Sequence, residues 1–208
     1  MIMETDRKWV IVRIDGKIAA ISTDYRMLAE ITARIAREGQ GKKAVKDRTV
    51  LPYERITAET VPFEQVWNLR ENTGWDDLML FGTDFQKKVW RKLWELTHNE
   101  HHTASQTTDT MKLICYSDFA ELCENKAGVR AVAHAIGLNP ISVIIPCHLV
   151  IPKESIDKIN EIKRKAEATI FKGDDLCLRS ILDDSSIDFG EYALGRMLKR
   201  ELIKMEHA

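Results

Sequence analysis

Pro146-Cys147-His148 places a thiol beside an imidazole directly after a proline. A cysteine becomes a strong nucleophile once deprotonated, and a neighbouring histidine, directly or through one water, accepts the proton and holds the thiolate as part of an ion pair. Adjacency alone is a weak signal, because most buried cysteines are inert packing residues. The remaining cysteines, 115, 123 and 177, form no C-x-x-C pair and show no zinc-ligand spacing, so free thiols are expected. His98, His101 and His102 cluster without cysteine or acidic partners at a metal-ligand spacing, and no metal site is expected.

The elements that must position Cys147 can be read outward from it. Asn139-Pro140 ends a helical pattern, and the run 141–145, ISVII, reads as a short buried strand that delivers the thiol and imidazole at its end. Upstream, 117–124 reads as a short helix with Phe119, Ala120, Leu122 and Cys123 inward. A Gly128-containing turn follows, then a second helix from about Val129 that carries Arg130, Ala131, Ala133, His134 and Ala135. Such a pair fits a helix-turn-helix whose small side chains allow close approach to a groove, although an ordinary helical hairpin has the same pattern. Thr83 or Asp84 can cap a helix over FQKKVWRKLWEL, with Phe85, Val89, Leu93 and Leu96 at helical intervals and Trp90 and Trp94 widening the stripe as core.

Nearer the N-terminus, residues 9–21 form two apolar runs split at Asp15-Gly16, a hairpin signal, and a helix over 25–37 packs on them. Residues 40–60, with Lys42, Lys43, Lys46 and Arg48, lack periodicity and read as a solvated loop. The 208 residues, 44% apolar and 30% charged, describe a globular protein with a real core and no bilayer-spanning run. Met1 to Lys8 lacks the apolar core of a secretory signal, so an intracellular address is expected, cytoplasmic or nucleoid, or nuclear in a eukaryote. A net charge of −1 excludes bulk electrostatic coating of nucleic acid but permits a small docking face.

The full stretch Asn139-Pro140, ISVII and Pro146-Cys147-His148 with Val150 resembles the active-site signature of the O6-alkylguanine-DNA alkyltransferases. The likeness extends through Gly82, Thr83, Phe85, Gln86, Val89 and Trp90, through Tyr116 with Ala120, and through 126–132. It closes on Gly190, Tyr192, Gly195, Lys199 and Leu202. The resemblance implies an α/β N-terminal domain, 1–78, with a small ribonuclease H-like sheet and helix. It also implies a mostly α DNA-binding alkyltransferase domain, 79–208, with a helix-turn-helix.

It further implies single-turnover, cofactor-free transfer of an alkyl group from O6-alkylguanine in double-stranded DNA to Cys147, with O4-alkylthymine left open as a second substrate. The corresponding activity is that of a methylated-DNA–[protein]-cysteine S-methyltransferase. His148 would act as general base, Glu206 would orient it, and Asn139 would brace the turn before the nucleophile. Tyr116 would press on the phosphate, Arg130 would fill the gap left by the flipped base, and Ala131 would sit against the minor groove. Tyr192, Val150, Ile136 and Ser142 would line the base pocket. A monomer that makes no membrane contact is expected.

Three features depart from the family pattern. Leu149 stands where the family has arginine, 98–111 is a longer polar connection, and 153–188 is an insertion. In the insertion, Ile156, Ile159, Ile162, Ala166 and Ile170 form a helical stripe, and Leu176, Leu178, Ile181 and Leu182 suggest a second helix. It is either a lid over the alkyl pocket or a surface decoration. Two rival functions remain open: a damage sensor that binds without transfer, and a cysteine-sensing DNA-binding regulator.

Overall fold

The computed structural model describes residues 7–39, 55–98, 113–169 and 181–207. These fall into two compact units, 1–94 with 138–146, and 95–137 with 147–208. The expected boundary after residue 78 lies inside the first unit. The Lys42–Arg48 basic stretch, His101, His102, Leu176, Cys177 and Leu178 lie outside the described residues.

In the first unit, strands β1 (Trp9–Ile14) and β2 (Lys17–Ser22) form the expected antiparallel hairpin. Its two-residue turn needs positive φ at both positions, and Asp15 and Gly16 supply φ of 49° and 86°. Strand β3 (Ile56–Val61) pairs antiparallel with β1, so the sheet order is β2-β1-β3. That strand corrects the reading of 40–60 as loop throughout. Five of its six residues are exposed, so ITAETV shows no alternation of burial to betray it.

Helix α1 (Tyr25–Gly39) starts at Asp24, whose carboxylate accepts from the Arg26 N–H at 2.8 Å. It lays Leu28, Ile31 and Ile35 over Val10, Val12, Ile14, Ala19 and Ala20. Trp9 and Ile11, on alternate positions of β1, are also sealed, and Trp9 meets Phe63 of helix α2 (Phe63–Asn72) with centroids 5.6 Å apart. Helix α3 (Asp84–His98) opens with a reciprocal cap: Thr83 Oγ1 accepts from Gln86 N–H at 3.2 Å, and Gln86 Oε1 accepts from Thr83 N–H at 3.0 Å. Trp90 is fully buried. Trp94 packs edge-on against Trp75, and the Arg91 guanidinium lies 4.9 Å from each ring, so both tryptophans serve packing.

Segment 138–146 is buried but is not the expected strand; it is a turn with one bridge, Ile141 to Ile21. Its polar backbone is satisfied partly by Ile21 of β2, which donates to the Pro140 carbonyl at 2.9 Å and accepts from Ser142 N–H, and partly from within. Asn139 Oδ1 accepts from Ile141 N–H at 3.0 Å and Nδ2 donates to the Ile145 carbonyl at 2.9 Å. Val143 sits at φ 75°, a left-handed conformation that costs a β-branched residue about 1–3 kcal/mol and persists only when its surroundings impose it. The side-chain amide thus does the work that a neighbouring strand would do in a sheet.

The second unit holds a two-stranded parallel pair, β4 (Ile114–Cys115) and β5 (Val150–Ile151). Around it are α4 (Tyr116–Leu122), a 3-10 turn at Lys126–Gly128, α5 (Val129–Gly137), α6 (Lys153–Thr169) and α7 (Arg196–Met205). No helix among the described residues is long and apolar enough to cross a membrane.

Replacing Asn139 with alanine strands two buried backbone groups, so the variant should lose about 2–3 kcal/mol in urea unfolding. A loss within the error of the extrapolation would show that the amide does not hold this turn.

Candidate active site

Cys147, His148 and Leu149 form a 3-10 turn that leads into β5, so the cysteine precedes a strand instead of ending one. All three are buried, Cys147 at 6% exposure. Its N-terminal neighbour is the proline that closes the Asn139 turn. On its C-terminal side, β5 pairs with β4, which runs straight into Tyr116 at the start of α4.

His148 Nε2–H donates to Glu206 Oε1 at 2.8 Å, with both side chains sealed from water. An ionised carboxylate only accepts, so the proton of a neutral His148 sits on Nε2 and Nδ1 is left as the basic nitrogen. Protonation at Nδ1 then makes an imidazolium facing a carboxylate, a pair strengthened by low dielectric.

Helix α7 supplies two groups. Its buried face is Leu198, Lys199, Leu202 and Ile203, and Glu206 follows Lys199 by two turns on the same side. Lys199 is 1% exposed, and its Nζ donates to the carbonyls of Val150 at 2.8 Å and Glu191 at 3.3 Å. Burial pulls its pKa down from 10.5 to about 8, while the negative charge of Cys147, then of Asp188 and Glu191, pushes back. Lys199 also lies 5.9 Å from the Tyr116 ring centroid. Burial, followed by the charges of Cys147 and Glu191, raises the Tyr116 pKa, so its hydroxyl stays a donor. The sequence reading placed Lys199 only in a closing motif. The available signal was a lysine set on the apolar stripe of an amphipathic helix.

The other expected site residues divide between the units. Val150 and Ile136 are buried in the second unit, and Ser142 is buried in the first beside Asn139, its N–H donating to the Ile21 carbonyl at 3.1 Å. Tyr192 is half-buried in the turn before α7, where Gly195 N–H donates to its carbonyl at 2.9 Å. Gly190, at φ 83°, lets this segment pass Pro152 so closely that a Cβ would meet the ring at 3.0 Å. On α5, Val132, Ala135 and Ile136 face inward while Arg130, Ala131 and His134 are exposed. Of the alanines on this helix, Ala135 belongs to the core.

Leu149 is fully buried, so the position that carries arginine in the family is here a packing residue. The start of the insertion, α6, packs against β4 and buries Ile159. Its far end returns to the same place: Ser155 Oγ donates to the Asp188 carbonyl, and Lys158 Nζ donates to that of Ser186 at 2.9 Å. Arg200 of α7 binds the carbonyls of Leu182, Asp184 and Ile187 at 2.7, 3.0 and 2.6 Å. Of the expected second insertion helix, a helical turn at 181–183 falls within the described residues. No group of metal-binding side chains occurs among the described residues.

Residues 98–168 match the family model for the 6-O-methylguanine DNA methyltransferase DNA binding domain. The match begins at the end of α3 and runs through α4, α5, the Cys147 turn and most of α6. A protein of Acanthamoeba polyphaga mimivirus named "Probable methylated-DNA--protein-cysteine methyltransferase" is 43% identical over 79 residues, 38% of this chain and 45% of its own. The methylated-DNA--protein-cysteine methyltransferase of Haemophilus influenzae is 38% identical over 73 residues, 35% of this chain and 34% of its own. The chain thus spans less than half the length of these curated relatives. A crystal structure of Mycobacterium tuberculosis OGT in complex with DNA aligns with a TM-score of 0.37 at 26% identity, covering 62% of this chain and 53% of that one.

The depressed Lys199 pKa sets a pH signature for the second unit. Above about pH 10.5 the amine is neutral folded or unfolded, and no penalty arises. As pH falls towards 8 the unfolded chain takes up the proton first, so stability is lost, and below 8 the full cost of about 3 kcal/mol is present. The stability of the wild type relative to Lys199→Met should therefore rise by an amount of that order between pH 7.5 and 10 in denaturant titrations. A flat difference would mean the ammonium is not desolvated.

Proposed function

We propose that this protein repairs alkylated DNA by moving the alkyl group of O6-alkylguanine onto Cys147 in a single, irreversible turnover. The observation that carries the reading is the buried 2.8 Å contact between His148 and Glu206, directly beside a cysteine within the matched DNA-binding domain. In the step itself, His148 Nδ1 takes the thiol proton through one water, and Glu206 stabilises the resulting imidazolium. The thiolate sulfur bonds to the alkyl carbon as the carbon–O6 bond breaks in line. The departing guanine receives a proton at a ring nitrogen from Tyr192, and the proton held by His148 returns to the tyrosinate through solvent, so that the balance is one alkyl moved to sulfur and the thiol proton moved, in effect, to the base.

Lys199 faces the developing charges with an ammonium and favours the thiolate over the thiol. Displacement at a saturated carbon by a thiolate calls on no cofactor, and the thioether formed has no hydrolytic route back.

An O6 substituent inside a duplex is out of reach of a buried sulfur, so the base must leave the stack. In this reading α4 and α5 act as a helix-turn-helix docked on the minor groove of double-stranded DNA, with Ala131 against the groove floor. Arg130 occupies the vacated stack and Tyr116 presses on the rotating phosphate. Val150 and Ile136 bound the base, and O4-alkylthymine is a second substrate to try. The three-stranded antiparallel sheet with α1 supports a ribonuclease H-like N-terminal domain over 1–78, joined to the alkyltransferase domain 79–208. The protein acts as a monomer at an intracellular address.

Incubation with a duplex containing O6-methylguanine, followed by intact-protein mass spectrometry, should give one added methyl per chain on Cys147 and none in Cys147→Ala. Binding without transfer would select the damage sensor, and preference for an undamaged sequence would select the regulator. In single-turnover assays Glu206→Gln should slow transfer about a hundredfold while leaving duplex affinity unchanged, since it removes only the support of the base catalyst.

A further inference from the structure

On α5, Arg130, His134 and Gly137 are exposed at i, i+4 and i+7, one stripe along the helix, with Ala131 exposed and Ala133 half-buried beside it. Methyl groups at both alanines leave the arginine and the imidazole standing proud of their surroundings. Neither makes a hydrogen bond or ion pair with another described residue. Other cations of this unit are engaged: Lys126 with Glu121 at 3.1 Å, Lys204 with Asp183 at 2.7 Å, Arg196 with Glu191, and Lys199 with two carbonyls. A helix in a matched DNA-binding domain that leaves these two groups outward and uncompensated is complementary to a polyanion.

We propose that His134 is a phosphate contact of α5 on duplex DNA, made only when its imidazole is protonated. The inference rests on the reading of α5 as the DNA-docking helix and adds a proton-dependent contact to it. His134 sits in the last turn of α5, the end of a helix where the backbone presents partial negative charge and repels phosphate. A neutral imidazole offers one N–H there, whereas the imidazolium offers two and a full positive charge. The titratable or charged groups on the elements packed against α5 are Tyr116, Asp118 and Glu121 of α4, Glu124 after it and Lys126 of the 3-10 turn. Between pH 6 and 8 ordinary carboxylates, phenols and ammonium groups keep their charge, and imidazole is the side chain that changes. The sign follows from linkage: phosphate prefers the protonated form, so affinity climbs as pH falls.

The test is fluorescence anisotropy of the full chain with a labelled undamaged duplex at fixed salt, at pH 6 and pH 8. The wild type should bind about fivefold more tightly at pH 6, and its salt dependence should steepen by about one counterion there. His134→Gln should lose most of that pH dependence and stay at the weaker affinity. His134→Lys should lose it too and stay at the tighter one. Equal pH dependence in wild type and His134→Gln overturns the proposal. Both substitutions are on an exposed position, and matching thermal melts establish that they fold. Methyl transfer from an O6-methylguanine duplex is read alongside. If the wild type neither binds duplex nor accepts a methyl, the DNA-repair reading falls and this inference falls with it. Transfer together with a flat pH response removes this inference alone.

Discussion

A carboxylate and an imidazole held 2.8 Å apart and sealed from water set the terms for everything near Cys147. Burying one partner without the other leaves an uncompensated charge or an unsatisfied donor, which is far more costly than burying both. The architecture of the second unit can be understood as the frame that keeps them together. His148 belongs to a tight turn fixed by β5, and Glu206 ends a helix whose apolar face is buried along its length. Lys199 completes the arrangement by tying that helix to the β5 backbone through the Val150 carbonyl. A buried ammonium is tolerable here because two carbonyls receive its protons and Cys147, Asp188 and Glu191 lie within its field.

The turn before the cysteine obeys a similar economy. Residues 141–145 are apolar enough for a sheet interior, yet their amides find partners in one asparagine and one strand edge. That solution permits the strained Val143 and a proline directly ahead of Cys147, neither of which suits a central strand.

Much of this was legible from residue order. Asp15-Gly16 marked the hairpin because few other dipeptides accept two positive φ angles, and Thr83 or Asp84 marked the start of α3, where the reciprocal bond from Gln86 singles out Thr83. The Cys147-His148 pair was visible as chemistry, whereas Glu206, 58 positions away, came only from family resemblance, since nothing local distinguishes it from a solvent-facing acid. β3 escaped notice because an edge strand exposed on both faces has no hydrophobic period. ISVII was misread for the opposite reason: a short apolar run is buried whether it is strand or turn, and only the partners of its amides decide. Lys199 went unremarked as a site group because lysine is ordinarily a surface residue.

The 153–188 segment enters and leaves the unit through a neck, with Ser155 bonded to Asp188 and Lys158 to Ser186. A chain excursion whose two feet already touch adds little closure entropy as it grows, roughly 0.6 kcal/mol for each doubling of length. Lengthening or exchanging such an appendage therefore costs the fold little. The same neck offers protein engineers a place to graft a foreign module onto the scaffold.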